Sequence, residues 1–241
     1  MDFEKIYDKQ VKEKFSSDYE FSRWFKDDQA RLGYEQTKKA LERVILSQNL
    51  SFSDYLELGP GPGTWTKLFL NQRPEAKFTL VDISNVMLLL SRQNLSAYKN
   101  VDFVRADFMN FPGKNQFDFF FSSRAFEYLP EKSLAAQKIF NFLKPGGSGV
   151  LVTKNPRYFF YKLKGRKVPQ IHKGQISASE LNDLLSKTGF EVFGPFCVTT
   201  TVPFFKNLFL DKMVGKILAG RKLGLVGRLL SESYCYKFTR K

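Results

Sequence analysis

The stretch Tyr55-Leu-Glu-Leu-Gly-Pro-Gly-Pro-Gly-Thr-Trp-Thr66 constrains the fold more than any other part of the chain. A short apolar run leads into glycines at every second position, Gly59, Gly61 and Gly63, and a helical pattern follows. Nineteen residues after Gly63, Asp82 ends a second apolar run, Phe78-Thr-Leu-Val. Strand, glycine turn, helix and strand with a terminal carboxylate make a nucleotide-type binding unit. Glycines let the backbone approach a ligand, and the helix start offers unpaired N–H groups there. The carboxylate can accept two hydrogen bonds from ribose hydroxyls. The spacing argues against a nicotinamide dinucleotide, whose fingerprint is G-x-G-x-x-G; here the glycines run G-x-G-x-G, with Glu57 just ahead of them.

More of the same pattern follows. Val101-Asp-Phe-Val-Arg-Ala-Asp107-Phe108 reads as a third strand ending in an acid, and Phe117-Asp-Phe-Phe-Phe-Ser-Ser123 as a strand buried on both faces of a parallel sheet. Arg124-Ala-Phe-Glu-Tyr-Leu129 follows it. Leu134 to Leu143 reads as a helix stopped by Lys144-Pro-Gly-Gly147, with a fifth strand over Ser148 to Thr153.

Together these segments, over about residues 52–156, resemble the class I S-adenosylmethionine-dependent methyltransferases of the small-molecule type. The glycine turn matches their motif I, residues 124–129 match a segment often ending in histidine where Tyr128 stands here, and Leu-Lys-Pro-Gly-Gly is a further family marker. The resemblance implies a Rossmann-like α/β fold, a seven-stranded, mostly parallel sheet with helices on both faces. It implies S-adenosylmethionine as cofactor. Glu57, Gly59, Gly61 and Gly63 would shape the amino acid end of that site. Asp82 would take the ribose hydroxyls, Asp107 and Phe108 would meet the adenine, and Ile83 would pack beside it.

At 241 residues and 43% hydrophobic, the chain suits one α/β domain and excludes disorder. We divide it into an N-terminal helical lid (1–50), a cofactor-binding core (51–156) and an acceptor-side region (157–241). No apolar run approaches the roughly 20 residues of a membrane span, and Met1 to Glu20 is too charged for a signal peptide, so a cytoplasmic location is expected. Cys197 and Cys235 lack metal-ligand spacing; two buried thiols and no metal are expected. In the lid, Tyr19, Trp24, Phe25, Leu32, Tyr34, Leu41, Val44 and Ile45 recur at helical spacing. Trp24 and Phe25 either line an acceptor pocket or glue the helix to the core.

The charge is uneven. Residues 154–241 hold 17 Lys and Arg against 5 Asp and Glu, against 21 and 19 in residues 1–153. After the fifth strand, Arg157, Tyr158, Tyr161 and Arg166 could fix an anionic or aromatic acceptor. His172, the chain's one histidine, is a candidate general base or an orienting residue. Ser177-Ala-Ser-Glu180 is a capping box opening a helix that Gly189 closes. Phe190 to Val202 should include the sixth strand, and Tyr234 to Thr239 an antiparallel seventh in the edge region. Between them, residues 204–230 mix apolar residues and cations at helical spacing, either a packed insertion or a peripheral contact with the inner membrane surface. The expected activity is O-methylation of a small or lipid-like acceptor, with no specific nucleic acid partner. The alternatives are methylation of RNA or another macromolecule, and a non-catalytic cofactor-binding or assembly protein.

Overall fold

Seven strands join into one sheet: β1 (Asp54–Leu58), β2 (Lys77–Asp82), β3 (Val101–Arg105), β4 (Phe117–Ser123), β5 (Leu143–Lys154), β6 (Phe190–Thr200) and β7 (Ser231–Arg240). Their order is β3-β2-β1-β4-β5-β7-β6. The first five run parallel, and β7 is antiparallel to both neighbours. This computed structural model describes residues 19–46, 50–114, 116–156, 165, 167, 173–201, 207–224, 227 and 230–241. The chain order reverses between β1 and β4, and a ligand crevice forms outside the carboxyl ends of the strands at such a point. The seventh strand lies second from the edge, between β5 and β6.

Among the described residues, six α-helices cover the sheet: α1 (Asp28–Leu41), α2 (Thr66–Gln72), α3 (Asn85–Asn94), α4 (Lys132–Phe142), α5 (Ala178–Thr188) and α6 (Leu208–Leu218). Their starts follow local chemistry. Asp27 accepts from the Ala30 amide at 2.7 Å, and Ser84 from the Met87 amide at 3.2 Å. The capping box at Ser177 and Glu180 forms, and Gly189 closes α5 at φ 105°. On one sheet face, Ala135, Ile139 and Phe142 of α4 and Leu181 and Leu185 of α5 pack on Leu56, Phe120 and Tyr236. On the other, Leu41 of α1 and Phe69 of α2 pack on Tyr55, Phe119 and Phe121. The phenylalanine run of β4 thus feeds both cores, as expected for a strand buried on each side.

The fifth strand differs from its expected span. It begins at Leu143, straight after α4, and continues through Lys-Pro-Gly-Gly. Leu143 pairs with Phe117 and Ser148 with Phe119, so a bulge absorbs the intervening residues. Lys144 anchors the bulge by ion pairs to Asp54 at 2.8 Å and Asp118 at 2.9 Å.

Helix α6 lies against α1. Gln36 of α1 is buried at their junction, where its Nε2 donates to the Asp211 carbonyl at 3.2 Å. Its Oε1 accepts from the Thr200 amide at 2.7 Å. A side chain at Gly215 would collide with Gln36, so glycine there is what permits the close crossing. Lys39 and Arg43 add bonds to the carbonyls of Lys216 and Ala219.

Candidate active site

Three acids gather at the carboxyl ends of neighbouring strands. Leu58 pairs with Val81 and Asp82 with Arg105, so Glu57, Asp82 and Asp107 line one rim of the sheet. Glu57 shares the face of Tyr55 and is 1% exposed. Its Oε2 accepts from the Tyr55 hydroxyl at 2.9 Å and the Thr66 hydroxyl at 2.8 Å. Burial lifts its pKa from 4.5 to about 7; the hydrogen bonds from Thr66 and Tyr55 resist that rise, and the Asp82 charge adds to it.

Asp82 is 8% exposed, and its Oδ1 accepts from the Ser84 amide at 2.9 Å. Beside it Ile83 is 38% exposed, an apolar side chain left open at the rim. Asp107 is exposed and caps a short turn, accepting from the Met109 amide at 2.9 Å and the Asn110 side chain at 3.1 Å. Phe108 points elsewhere. Its side chain is buried in the core against Phe120 and Phe142, with centroids 6.1 and 5.6 Å away. Only its backbone remains for a ligand at the rim.

The glycine turn joins these acids. Gly59, Gly61 and Gly63 have φ of 66°, 57° and 83°, a region that disfavours side chains. A Cβ at Gly59 would lie 2.3 Å from the Ala125 Cβ, and one at Gly63 2.9 Å from Leu95. Packing therefore explains two of the three. At Gly61 a Cβ would meet no protein atom within 4 Å, so open space lies above the middle of the turn. Room there, a carboxylate at the end of β2 and an open apolar residue beside it fit an adenosine cofactor whose amino acid end is positively charged.

The N-terminal segment closes over the turn. Thr64 donates its hydroxyl to Glu20. Tyr34 stacks on Trp65 at 5.3 Å, and Trp24 meets Trp65 edge-on at 5.5 Å. Trp24 is buried, whereas Phe25 is 37% exposed and leans on Tyr34. Behind Trp24 lies a cavity of about 270 Å³, lined among others by Arg23, Trp24, Gln36, Arg124, Lys154 and Glu232. Trp24 packs in the core, as one of the two expected readings has it, and also borders this cavity.

Arg23, Arg124 and Lys154 carry no role in the sequence reading. A cationic residue directly after a buried strand was the available signal. Arg157, Tyr158, Tyr161, Arg166 and His172 lie outside the described residues. Cys197 and Cys235 are buried free thiols on adjacent strands. Burial raises both, Cys197 to about 11, so neither is a thiolate near neutral pH. Among the described residues no His, Cys, Asp or Glu cluster could hold a metal, and no helix is long and apolar enough to cross a membrane.

The strand order and the site together define a class I methyltransferase fold. Residues 56–147 match the family described as a methyltransferase domain; the chain carries a methyltransferase domain of the class I, S-adenosylmethionine-dependent type. It is 27% identical over 180 residues to a malonyl-[acyl-carrier protein] O-methyltransferase of Paenibacillus sp., covering 68% of this chain and 64% of that one. A trans-aconitate 2-methyltransferase of Azoarcus sp. is 32% identical over 138 residues, 55% of this chain and 51% of that one. The chain spans about half the length of such relatives, from 39% to 64% in the malonyl-[acyl-carrier protein] enzymes. Among solved structures, the N-methyltransferase NodS of Bradyrhizobium japonicum superposes with TM-score 0.61 at 14% identity, covering 89% of this chain and 99% of that one. A possible histamine N-methyltransferase of Thermotoga maritima gives TM-score 0.59 at 20% identity, covering 92% and 95%. At such identities the structures speak for the fold alone.

Proposed function

We propose that the protein transfers a methyl group from S-adenosylmethionine to an oxygen of a small or lipid-like acceptor. The observation that carries this is the open middle of the glycine turn between Glu57 and Asp82, with a half-open cavity bordered by Trp24 and Arg124 nearby. The cofactor supplies a methyl carbon made electrophilic by a sulfonium. In this reading Asp82 holds the ribose hydroxyls, Ile83 packs beside the adenine, and Asp107 with the Phe108 backbone receives its edge. Glu57 balances the positive amino acid end. Trp24 and Trp65 keep water from the reacting atoms, and the lid holds the acceptor in line with the methyl group. The relatives methylate malonyl-[acyl-carrier protein] and trans-aconitate by name, which supports an oxygen acceptor.

His172 belongs to the acceptor side in this proposal. His172→Ala lowers turnover by about 10²- to 10⁴-fold if the imidazole draws a proton from a hydroxyl, and only slightly if it orients an acceptor that carries none. A lipid-like acceptor also gives a role to α6. Leu208, Phe209, Leu210, Met213 and Ile217 are exposed on it among Lys212 and Lys216, an apolar stripe with cations suited to an anionic lipid surface.

Incubation of the purified protein with methyl-labelled cofactor and size-fractionated extract tests the reading. Label is expected in the small-molecule or solvent-extractable fraction. Label in RNA, or cofactor binding without transfer to any fraction, overturns it.

A further inference from the structure

We propose that Arg124, with Arg23 and Lys154, forms an anion subsite that seats the carboxylate of the methyl acceptor. The proposal rests on the methyl-transfer reading above and names its substrate class.

Arg124 is held unusually. It directly follows β4 and has φ 61°, alone among described non-glycine residues in the left-handed region. That conformation costs an L-residue free energy and persists where surroundings impose it. Here the Arg124 amide donates to the Val152 carbonyl at 2.8 Å. The next residue, Ala125, is the one that abuts Gly59. The strained turn therefore carries the guanidinium to the wall of the cavity beside the cofactor turn.

Its charge is poorly answered. The buried Nε has no hydrogen-bond partner among the described residues. One terminal nitrogen reaches the Ser233 hydroxyl at 3.4 Å, and the group sits 5.9 Å from the Trp24 ring centroid. Arg23 lies over the same ring at 4.5 Å. Burial, then the like charge of Arg23, pulls the Arg124 pKa below its ordinary value, against the opposing pull of Glu232 and Glu127.

The nearby carboxylates are already engaged. Glu232 pairs with Lys154 at 3.7 Å and accepts from Thr201 at 3.1 Å. Glu127, behind the wall, accepts from the Thr153 hydroxyl and the Lys154 amide, each at 3.0 Å. Asp27 caps α1 and lies 4.0 Å from Lys26. Arg23 and Arg124 make no ion pair among the described residues. Two guanidinium groups sharing one aromatic ring in a cavity of about 270 Å³ call for an anion, and a planar carboxylate matches the guanidinium fork.

The chemistry follows from the charge. A carboxylate oxygen attacks the methyl carbon, an O–C bond forms as the C–S bond breaks, and the electron pair stays on sulfur. No proton has to leave, so no base is needed. The acceptor arrives as an anion and departs as an ester that no longer answers the two arginines, which favours release.

Calorimetric titration of the full chain with malonate, glutarate and trans-aconitate, and with their methyl esters, tests this in the presence and absence of S-adenosylhomocysteine. At least one carboxylate should bind, its full ester roughly 10- to 150-fold more weakly, and Arg124→Gln should weaken the acid by a similar factor. Arg124→Gly suits the backbone and guards against misfolding: it should keep the thermal midpoint and the S-adenosylhomocysteine affinity, yet lose the acid. Acids that bind no better than their esters, or that bind Arg124→Gly at full strength, overturn the subsite. Absence of S-adenosylhomocysteine binding overturns the methyl-transfer reading instead, and leaves an Arg124-dependent acid site standing.

Discussion

Glu57→Gln should make the protein more stable at pH 8 while impairing it as a cofactor-binding protein. The glutamate is buried, and its folded pKa of about 7 lies above its ordinary 4.5. Below pH 4.5 both folded and unfolded chains carry the proton, and the residue imposes no penalty. Between pH 4.5 and 7 the unfolded chain ionises first and stability falls; above pH 7 the loss is complete. At 1.36 kcal/mol per pKa unit the full loss is about 3 kcal/mol. Glutamine keeps an oxygen for the Tyr55 and Thr66 hydroxyls and carries no charge to desolvate. The gap between variant and wild type should therefore widen by about 2.5 kcal/mol from pH 5 to pH 8. For a domain of this size that is roughly 5–10 °C in Tm. Thermal and urea unfolding at the two pH values measure it. The same carboxyl should ionise when a positively charged ligand arrives. S-adenosylmethionine binding near pH 7 should then release about half a proton in the wild type, seen as a buffer-dependent heat, and none through this site in Glu57→Gln. A stability gap that stays constant with pH, or a variant that binds with unchanged proton release, refutes the argument.

Asp82→Ala should weaken cofactor binding by roughly 10- to 150-fold, since a hydrogen bond to a charged group contributes about 1.5–3 kcal/mol; unchanged calorimetric affinity in a folded variant would show that the β2 carboxylate does not hold the ribose. Gly59→Ala and Gly61→Ala should part company. The first forces a Cβ to 2.3 Å from Ala125 and should lower Tm sharply, whereas the second meets no atom, adds about 1–2 kcal/mol of backbone strain, and should mainly lose cofactor affinity; equal Tm losses would count against an open turn. Phe209→Glu with Met213→Glu should abolish co-sedimentation with anionic vesicles and leave cofactor binding alone. Wild-type binding should weaken, not vanish, with salt; indifference to either the substitutions or the lipid charge would remove α6 from any membrane role.

What could be read from the sequence was what neighbouring residues dictate. The glycine spacing, Glu57 within β1, Asp82 at the end of β2, the Ser177 cap and the apolar run of β4 are local statements of backbone and burial chemistry, and each lies where its pattern placed it, whereas β3 stops at Arg105 and leaves Asp107 to cap the turn beyond it. Features set by distant partners were hidden. Phe108 follows a rim acid, yet its ring turns inward because Phe120 and Phe142 offer apolar contact there. The start of β5 ran through Pro145 and Gly146, which read as a loop, because Asp54 and Asp118 from other strands pin Lys144. Arg124 gave no sign of its left-handed backbone, a conformation that side-chain identity alone would assign to glycine. Nor could spacing reveal that Gln36, one polar residue in an amphipathic helix, would bond Thr200 and Asp211, 164 and 175 residues away.

That glutamine ties α1 to both β6 and α6. Swinging α1 away would strand the Asp211 carbonyl and the Thr200 amide and hydroxyl, the three partners of the Gln36 side chain, each at about 1–3 kcal/mol, and would also break the Lys39 and Arg43 bonds to the end of α6. Glu20 and Trp24, which touch the cofactor turn, precede the extended backbone at Asp27 (φ −155°). An opening motion that preserved those bonds would leave α1 in place and turn ahead of it, at Lys26 and Asp27.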